Sequence, residues 1–141
     1  MILLHQLPPF PGNVKELGIS VETLRVRSVF APMYNMVEFH GPDHPLELEE
    51  LGVVLIKRFR DHGIEIDADV CFQGLYLHDC FWSIPAGQDG PFKNLAGEII
   101  TSKEMFSATV GRHILLKRGL SPEHSQRVYD AIVPTNPLVF P

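Results

Sequence analysis

Apolar residues along this chain recur mostly at steps of three and four, the spacing of an α-helical face. The breaks between periodic segments carry proline and glycine, clustered at 8–12, 41–45, 85–91 and 134–141. Residues 20–31, "SVETLRVRSVFA", open with Ser20 as a cap and are closed by Pro32. Residues 45–62 start with Pro45 in a first turn. Glu47, Glu49 and Glu50 follow, where the positive end of the helix dipole favours acids. Leu48, Leu51, Leu55 and Phe59 then form one apolar face, and Gly63 stops the helix. The segment 67–80 has Asp67 as cap and a stripe of Ala68, Cys71, Phe72 and Leu75; four residues further the stripe reaches Asp79, with His78 beside it. A long irregular connection spans 83–100. "TSKE" at 101–104 is a capping box opening a helix that runs to Arg118 and ends at Gly119. Ser121 and Pro122 start the last helix, with Val128, Ala131 and Ile132 as its buried edge and Pro134 as its end. "NLAGEII" is the best candidate for a strand, and it is short. The pattern predicts an all-α helical bundle of about five helices.

Composition narrows the class. With 141 residues the chain is long enough for one domain, and 1–141 is read as a single domain with 1–19 as an N-terminal extension. No apolar run approaches the ~20 residues of a membrane span. "MILLHQLPPFPGN" lacks a basic n-region and meets proline within eight residues, so it does not read as a signal peptide. The net charge of −5, without a Lys/Arg cluster, argues against nucleic acid as a partner. "KRFR" at 57–60 and "LLKRG" at 115–119 fall at helix C-terminal ends, where cations suit the dipole. Cys71 and Cys80 form no CxxC motif or disulfide framework, which fits a reducing, cytoplasmic setting.

Candidate chemistry centres on "LYLHDCFW", residues 75–82. An Asp in an apolar and aromatic run needs a partner, because ionised carboxylates are rarely buried alone. Of seven histidines, His62 and His124 lie at helix ends and read as solvated, and His113 reads as a core-edge residue. His44 opens the helix that precedes the one ending in His78 and Asp79. Consecutive helices joined by a short turn pack antiparallel, so the start of the first lies beside the end of the second. His44, His78 and Asp79 thus form a candidate donor set for a divalent transition metal, with coordination positions left for water.

On these residues the chain resembles the HD-domain superfamily of metal-dependent phosphohydrolases. "YNMVEFHGPDHPLEL" is similar to the aromatic and histidine pattern before the first ligand helix, with His44 on the ligand position, and "LYLHDC" matches the helix ending in the His-Asp pair. "SKEMFSATVGRHILLKRGLSPEHSQRVYDAIVPTNP" resembles the paired helices downstream, including the Ser-Ala step at 107 and 108. The resemblance covers about residues 28–137 and implies an HD-like helical bundle with a metal at His44, His78 and Asp79. It also exposes departures. The family's further Asp ligand has no counterpart beyond Asp130, and Asp130 itself lies in the helix before the expected position. The extra histidines of two-metal members near Ser107, Thr135 and Asn136 are missing, which points to one metal rather than two. Cys80 and Phe81 stand where many members have a small residue and Gly, and Trp82 or its neighbours replace a catalytic Glu found in some nucleotidases.

The implied activity is metal-assisted hydrolysis of a nucleotide or other small phosphoester, with one divalent ion (Mn, Fe, Co, Ni, Zn or Mg) as cofactor. Asp79 ligates the metal and orients or deprotonates its water. Glu104 is a candidate base, set against its capping-box role. His40 and Arg112 are candidate phosphate contacts, with Lys93 as an alternative to Arg112. The competing readings are iron-based oxygen chemistry on the same donors, a degenerate HD fold that binds a ligand or partner without turnover, and an unrelated helical domain in which His78 and Asp79 merely pair with each other. A homodimer is compatible with all of them.

Overall fold

The computed structural model describes residues 7–36, 43–80, 92–93, 99–100 and 103–133. It is all-α, with helices α1 (Val14–Leu17), α2 (Val21–Phe30), α3 (Asp43–Asp61), α4 (Ala68–Leu77), α5 (Lys103–Lys117) and α6 (Pro122–Ile132), and a 3-10 turn at Ala31–Met36 continuing α2. Two short strands, β1 (Phe92–Lys93) and β2 (Ile99–Ile100), pair antiparallel. Of "NLAGEII", Ile99 and Ile100 are strand, and the residues before them lie outside the described residues. No described helix is long and apolar enough to cross a membrane.

The helix ends follow the local chemistry of the sequence. Ser20 accepts from the Thr23 N–H at 3.2 Å, Asp67 from Val70 at 3.1 Å and Ser121 from His124 at 3.1 Å. Each of these side chains satisfies a donor that has no intrahelical acceptor. Gly63 and Gly119 adopt φ of 79° and 89°. Beyond them Ile64 donates to the Phe59 carbonyl at 2.9 Å and Leu120 to Leu115 at 3.1 Å, which is the Schellman closure that a left-handed residue permits. The capping box expected at Thr101 lies outside the described residues.

The chain divides into two compact units, Met1–Tyr76 and Leu77–Pro141, with the boundary inside α4. The core of the first unit includes Leu17, Val26, Phe30, Tyr34, Val53, Ile56, Phe72 and Tyr76. Here the structure corrects the expected orientation of α3. Leu51, Leu55 and Phe59 are 52%, 42% and 44% exposed, whereas Pro45, Glu49, Val53 and Ile56 point inward. The buried face steps by four, four and three residues and includes a carboxylate. An apolar stripe on a helix marks a surface suited to burial, but which stripe is used depends on what the neighbouring helices offer.

What they offer at Glu49 is charge and hydrogen bonds. Arg27 of α2 grips the carboxylate with two donors: Nε donates to Oε1, and Nη2 to Oε2 at 3.2 Å. The Tyr76 hydroxyl of α4 donates to Oε1 at 2.7 Å, and Arg27 Nη2 also donates to the Pro8 carbonyl at 2.7 Å. Burial, together with the neighbouring Glu49 charge, raises the Tyr76 pKa well above its usual value and keeps the phenol a donor. A second polar cluster ties α4 to the start of α2. Asp69 Oδ1 accepts from the Ser20 N–H at 2.8 Å and from the Thr23 hydroxyl, to which Gln73 Nε2 donates at 2.9 Å. At Gly52 a Cβ would lie 3.2 Å from the Phe72 ring, so the glycine lets α3 and α4 approach closely.

The second unit packs the end of α4 against the α5–α6 hairpin. Leu77, Cys80, Ala108, Leu115, Val128 and Ile132 are buried. A Cβ at Gly111 would lie 3.3 Å from Leu77 Cβ and 3.4 Å from Ile132 Cδ1. Ser107 and Ala108, the small step singled out in the sequence, are both fully buried. Two expectations for this unit change. His113 is exposed because α5 buries Ser107, Ala108, Gly111 and Leu115 instead. On α6, Ala131 is exposed and Ser125 takes its place beside Val128 and Ile132 on the inner face.

Removing one partner from a buried ion pair strands the other charge. Arg27→Met is expected to cost about 3–5 kcal/mol of unfolding free energy. The double variant Arg27→Met/Glu49→Leu should recover at least half of that loss, as read from urea midpoints. Additive losses would show that the two side chains do not interact.

Candidate metal centre

His44 lies in the first turn of α3 and is partly buried. Its ring centroid is 6.0 Å from that of Tyr34, a fully buried residue of the 3-10 turn. The Tyr34 hydroxyl faces the carbonyls of Leu75 at 3.2 Å and Tyr76 at 3.4 Å. These are terminal carbonyls of α4, which have no intrahelical donor and carry the negative end of its dipole. Together with the Glu49–Tyr76 hydrogen bond, this sets the first turns of α3 beside the last turn of α4 within the first unit. That is the antiparallel arrangement expected of consecutive helices joined by a short turn.

His78 and Asp79 follow directly after α4, in the second unit. His78 Nε2 and Asp79 Oδ2 are 3.0 Å apart, and the two side chains are 16% and 14% exposed. This level of burial answers the question posed by an Asp in an apolar run: the carboxylate is largely withdrawn from water and has an imidazole alongside. Cys80 closes the turn, its N–H donating to the Leu77 carbonyl at 3.2 Å and its thiol to the Ser107 carbonyl at 3.1 Å. Burial pushes the Cys80 thiol up to about 12. At this position Cys80 is therefore a small, neutral packing residue that fixes the end of the His-Asp turn on α5.

The other expected site residues are placed less centrally. Glu104 is half-buried in the first turn of α5. Arg112 is committed to α6: its guanidinium lies 4.3 Å from the Tyr129 ring centroid, and Nη1 donates to Gln126 Oε1 at 2.8 Å. Asp130 is exposed and accepts from Gln126 Nε2 at 3.0 Å, so its carboxylate serves α6 locally. His40 lies outside the described residues, as does the side chain of Lys93. His62, as expected, is exposed, with Nδ1 2.8 Å from the Arg58 carbonyl. His124, read as solvated, is only half exposed.

Two residues that hold the last turn of α4 were not identified from sequence. Tyr34 sits in the aromatic stretch before His44, but nothing in the pattern shows that its hydroxyl reaches α4. Glu49 fits the first-turn acidic rule, which conceals its burial. The available signal was its four-residue spacing from Pro45 and Val53.

Compared with family models, with curated proteins and with solved structures, the chain has no match. The functional reading therefore rests on residue chemistry and geometry.

Cys71 is exposed and Cys80 buried. A disulfide-exchange reagent at pH 8 should titrate one thiol in the native protein and a second only after unfolding, and Cys71→Ser should abolish the fast reaction. The folded Cys80 pKa lies well above that of an ordinary thiol. Its stabilising contribution is therefore complete below about pH 9 and is lost as pH rises toward 12. Urea midpoints that stay level across that interval would count against it.

Proposed function

We propose that this protein is a metal-dependent phosphohydrolase of the HD type, acting on a nucleotide or another small phosphoester. Its metal site would use His44, His78 and Asp79. The observation that carries this reading is the partly buried His78–Asp79 pair that follows directly after α4. Two imidazoles and a carboxylate suit Mn, Fe, Co, Ni or Zn, and less well Mg, which prefers oxygen ligands. The negative end of the α4 dipole favours a cation at the same place.

A bound divalent ion would supply a water of lowered pKa and draw charge from a phosphoryl oxygen. The chain's own groups would do the rest. Asp79, besides ligating, would accept a proton from the attacking water. His78 would orient the carboxylate through its ring nitrogen. Tyr34 would hold the His44 ring in place, and the Cys80–Ser107 contact would fix the turn that presents the pair. Glu104 would be a supplementary base, and His40 a phosphate contact. Arg112 would serve substrate only by leaving Tyr129 and Gln126. The two free thiols suit a reducing cytoplasmic setting.

A second reading is favoured by Asp130, whose exposed carboxylate is engaged by Gln126 and supplies no fourth protein ligand. In that reading the same three residues bind metal and ligand without turnover.

Metal loading and turnover separate these alternatives. The purified protein is expected to bind about one equivalent of Mn, Co, Ni or Zn, with His44→Ala and Asp79→Ala lowering affinity by about 100-fold or more. Circular dichroism should remain helical in both variants. Metal-loaded wild type should release phosphate from a panel of nucleotides and small phosphoesters, and Asp79→Ala should not. Metal binding without release across the panel would replace hydrolysis with the binding role. Absence of metal binding would remove both readings.

A further inference from the structure

The outward face of α3 is unusually apolar. Leu51, Val54, Leu55 and Phe59 are each more than 40% exposed, and Leu48, half-buried, extends the row toward the N-terminus. The row borders a groove of about 220 Å³ between α3 and α4, floored by Gly52, Ile56 and Phe72. All of these residues belong to the first unit. Scattered exposed apolar residues need no explanation, but a contiguous row along a 19-residue helix marks an interaction surface.

The charges beside the row specify the partner. Glu47 and Glu50 are exposed on the N-terminal half of α3, and Lys57 and Arg58 on the C-terminal half. A helix that is acidic at one end, basic at the other and apolar along one side is complementary to itself when reversed. Two α3 helices laid antiparallel, with their two-fold axis level with Val53, bring Leu51 opposite Leu55 and Leu48 within one residue of a position opposite Phe59. The same register brings Glu47 within one residue of a position opposite Arg58, and Glu50 within one residue of a position opposite Lys57, close enough for long charged side chains to meet. Apolar and charged positions are thus met by one alignment to within a residue, and each contact occurs twice, as a two-fold interface requires. A parallel alignment would set acid against acid and base against base along the whole helix.

We infer that the protein associates with a second copy of itself through α3, antiparallel and centred on the level of Val53. The interface is a single helix face, about 28 Å long at 1.5 Å per residue. Its area falls at the small end of stable interfaces, so the dimer is a reversible one, with a dissociation constant on the order of micromolar. Phe59 and Leu55 anchor it by entering the partner's groove, and the two charge pairs fix its direction. This surface is distinct from the proposed metal site, and either proposal can fail without the other.

Sedimentation velocity over a concentration series tests the inference, with circular dichroism melts confirming that each variant folds. Wild type should shift from monomer to dimer with increasing concentration. Leu55→Arg, at an exposed position, should leave a monomer throughout. Glu50→Lys should weaken association about tenfold, because it sets two lysines opposite each other at both symmetric positions. Lys57→Glu should do the same by pairing two acids. The double variant Glu50→Lys/Lys57→Glu should restore wild-type association, since the swapped charges again face their opposites. A wild type that remains monomeric at the highest concentration overturns the proposal. So does a dimer unaffected by Leu55→Arg, and a double variant as weak as the two single ones would exclude the antiparallel register.

Discussion

A glutamate carboxylate shut inside a helical core constrains much of the first unit. Withdrawing Glu49 from water costs several kcal/mol unless its oxygens are met by positive charge and good donors. Arg27 and Tyr76 meet them, and they come from α2 and α4. One residue on α3 therefore determines which faces of its two neighbours turn inward. Because the guanidinium also reaches the Pro8 carbonyl, the segment before α1 is held by the same group. An apolar core could fill this volume but would tolerate sliding. Two fixed donors on Oε1 and one on Oε2 allow only one register.

The register also sets the end of α4. Tyr76 is the penultimate residue of α4, so its bond to Glu49 fixes the end of the helix on which the His-Asp pair follows. Tyr34 adds a second constraint on the same turn while lying beside His44. The Asp69 cluster does comparable work at the other end of α4, tying its first turn to the cap of α2. Both ends of α4 are thus held by polar contacts, with apolar packing between them. Past the unit boundary the turn is secured differently, by Cys80 on Ser107 and by the close approach that Gly111 permits.

This arrangement also explains the unusual surface of α3. A helix that turns Glu49 inward must turn Leu51 and Leu55 outward, because residues two and six positions on from Glu49 lie well round the helix from it. The apolar row exposed to solvent is thus the geometric consequence of burying a charged residue, and it becomes useful if another helix covers it. Its flanking charges, acidic first and basic last, follow the preference of any helix dipole. The same preference makes the helix complementary to its own reverse.

What the sequence determined by itself was local. Helix limits at Ser20, Asp67, Gly63, Ser121 and Gly119 were legible because caps and left-handed glycines act within four residues of their own position. The all-α class was legible for the same reason, since the spacing of apolar residues needs no partner to be recognised. The candidacy of His44, His78 and Asp79 followed from one further step, that adjacent helices return antiparallel. The inward face of α3, the exposure of His113 and the engagement of Arg112 by Tyr129 were decided only by tertiary structure. Each depends on a side chain far away in sequence. Periodicity ranks Leu51 above Glu49 as a core residue, and only an arginine 22 positions away and a tyrosine 27 positions away reverse that order, by providing the charge and hydrogen bonds that water would otherwise supply.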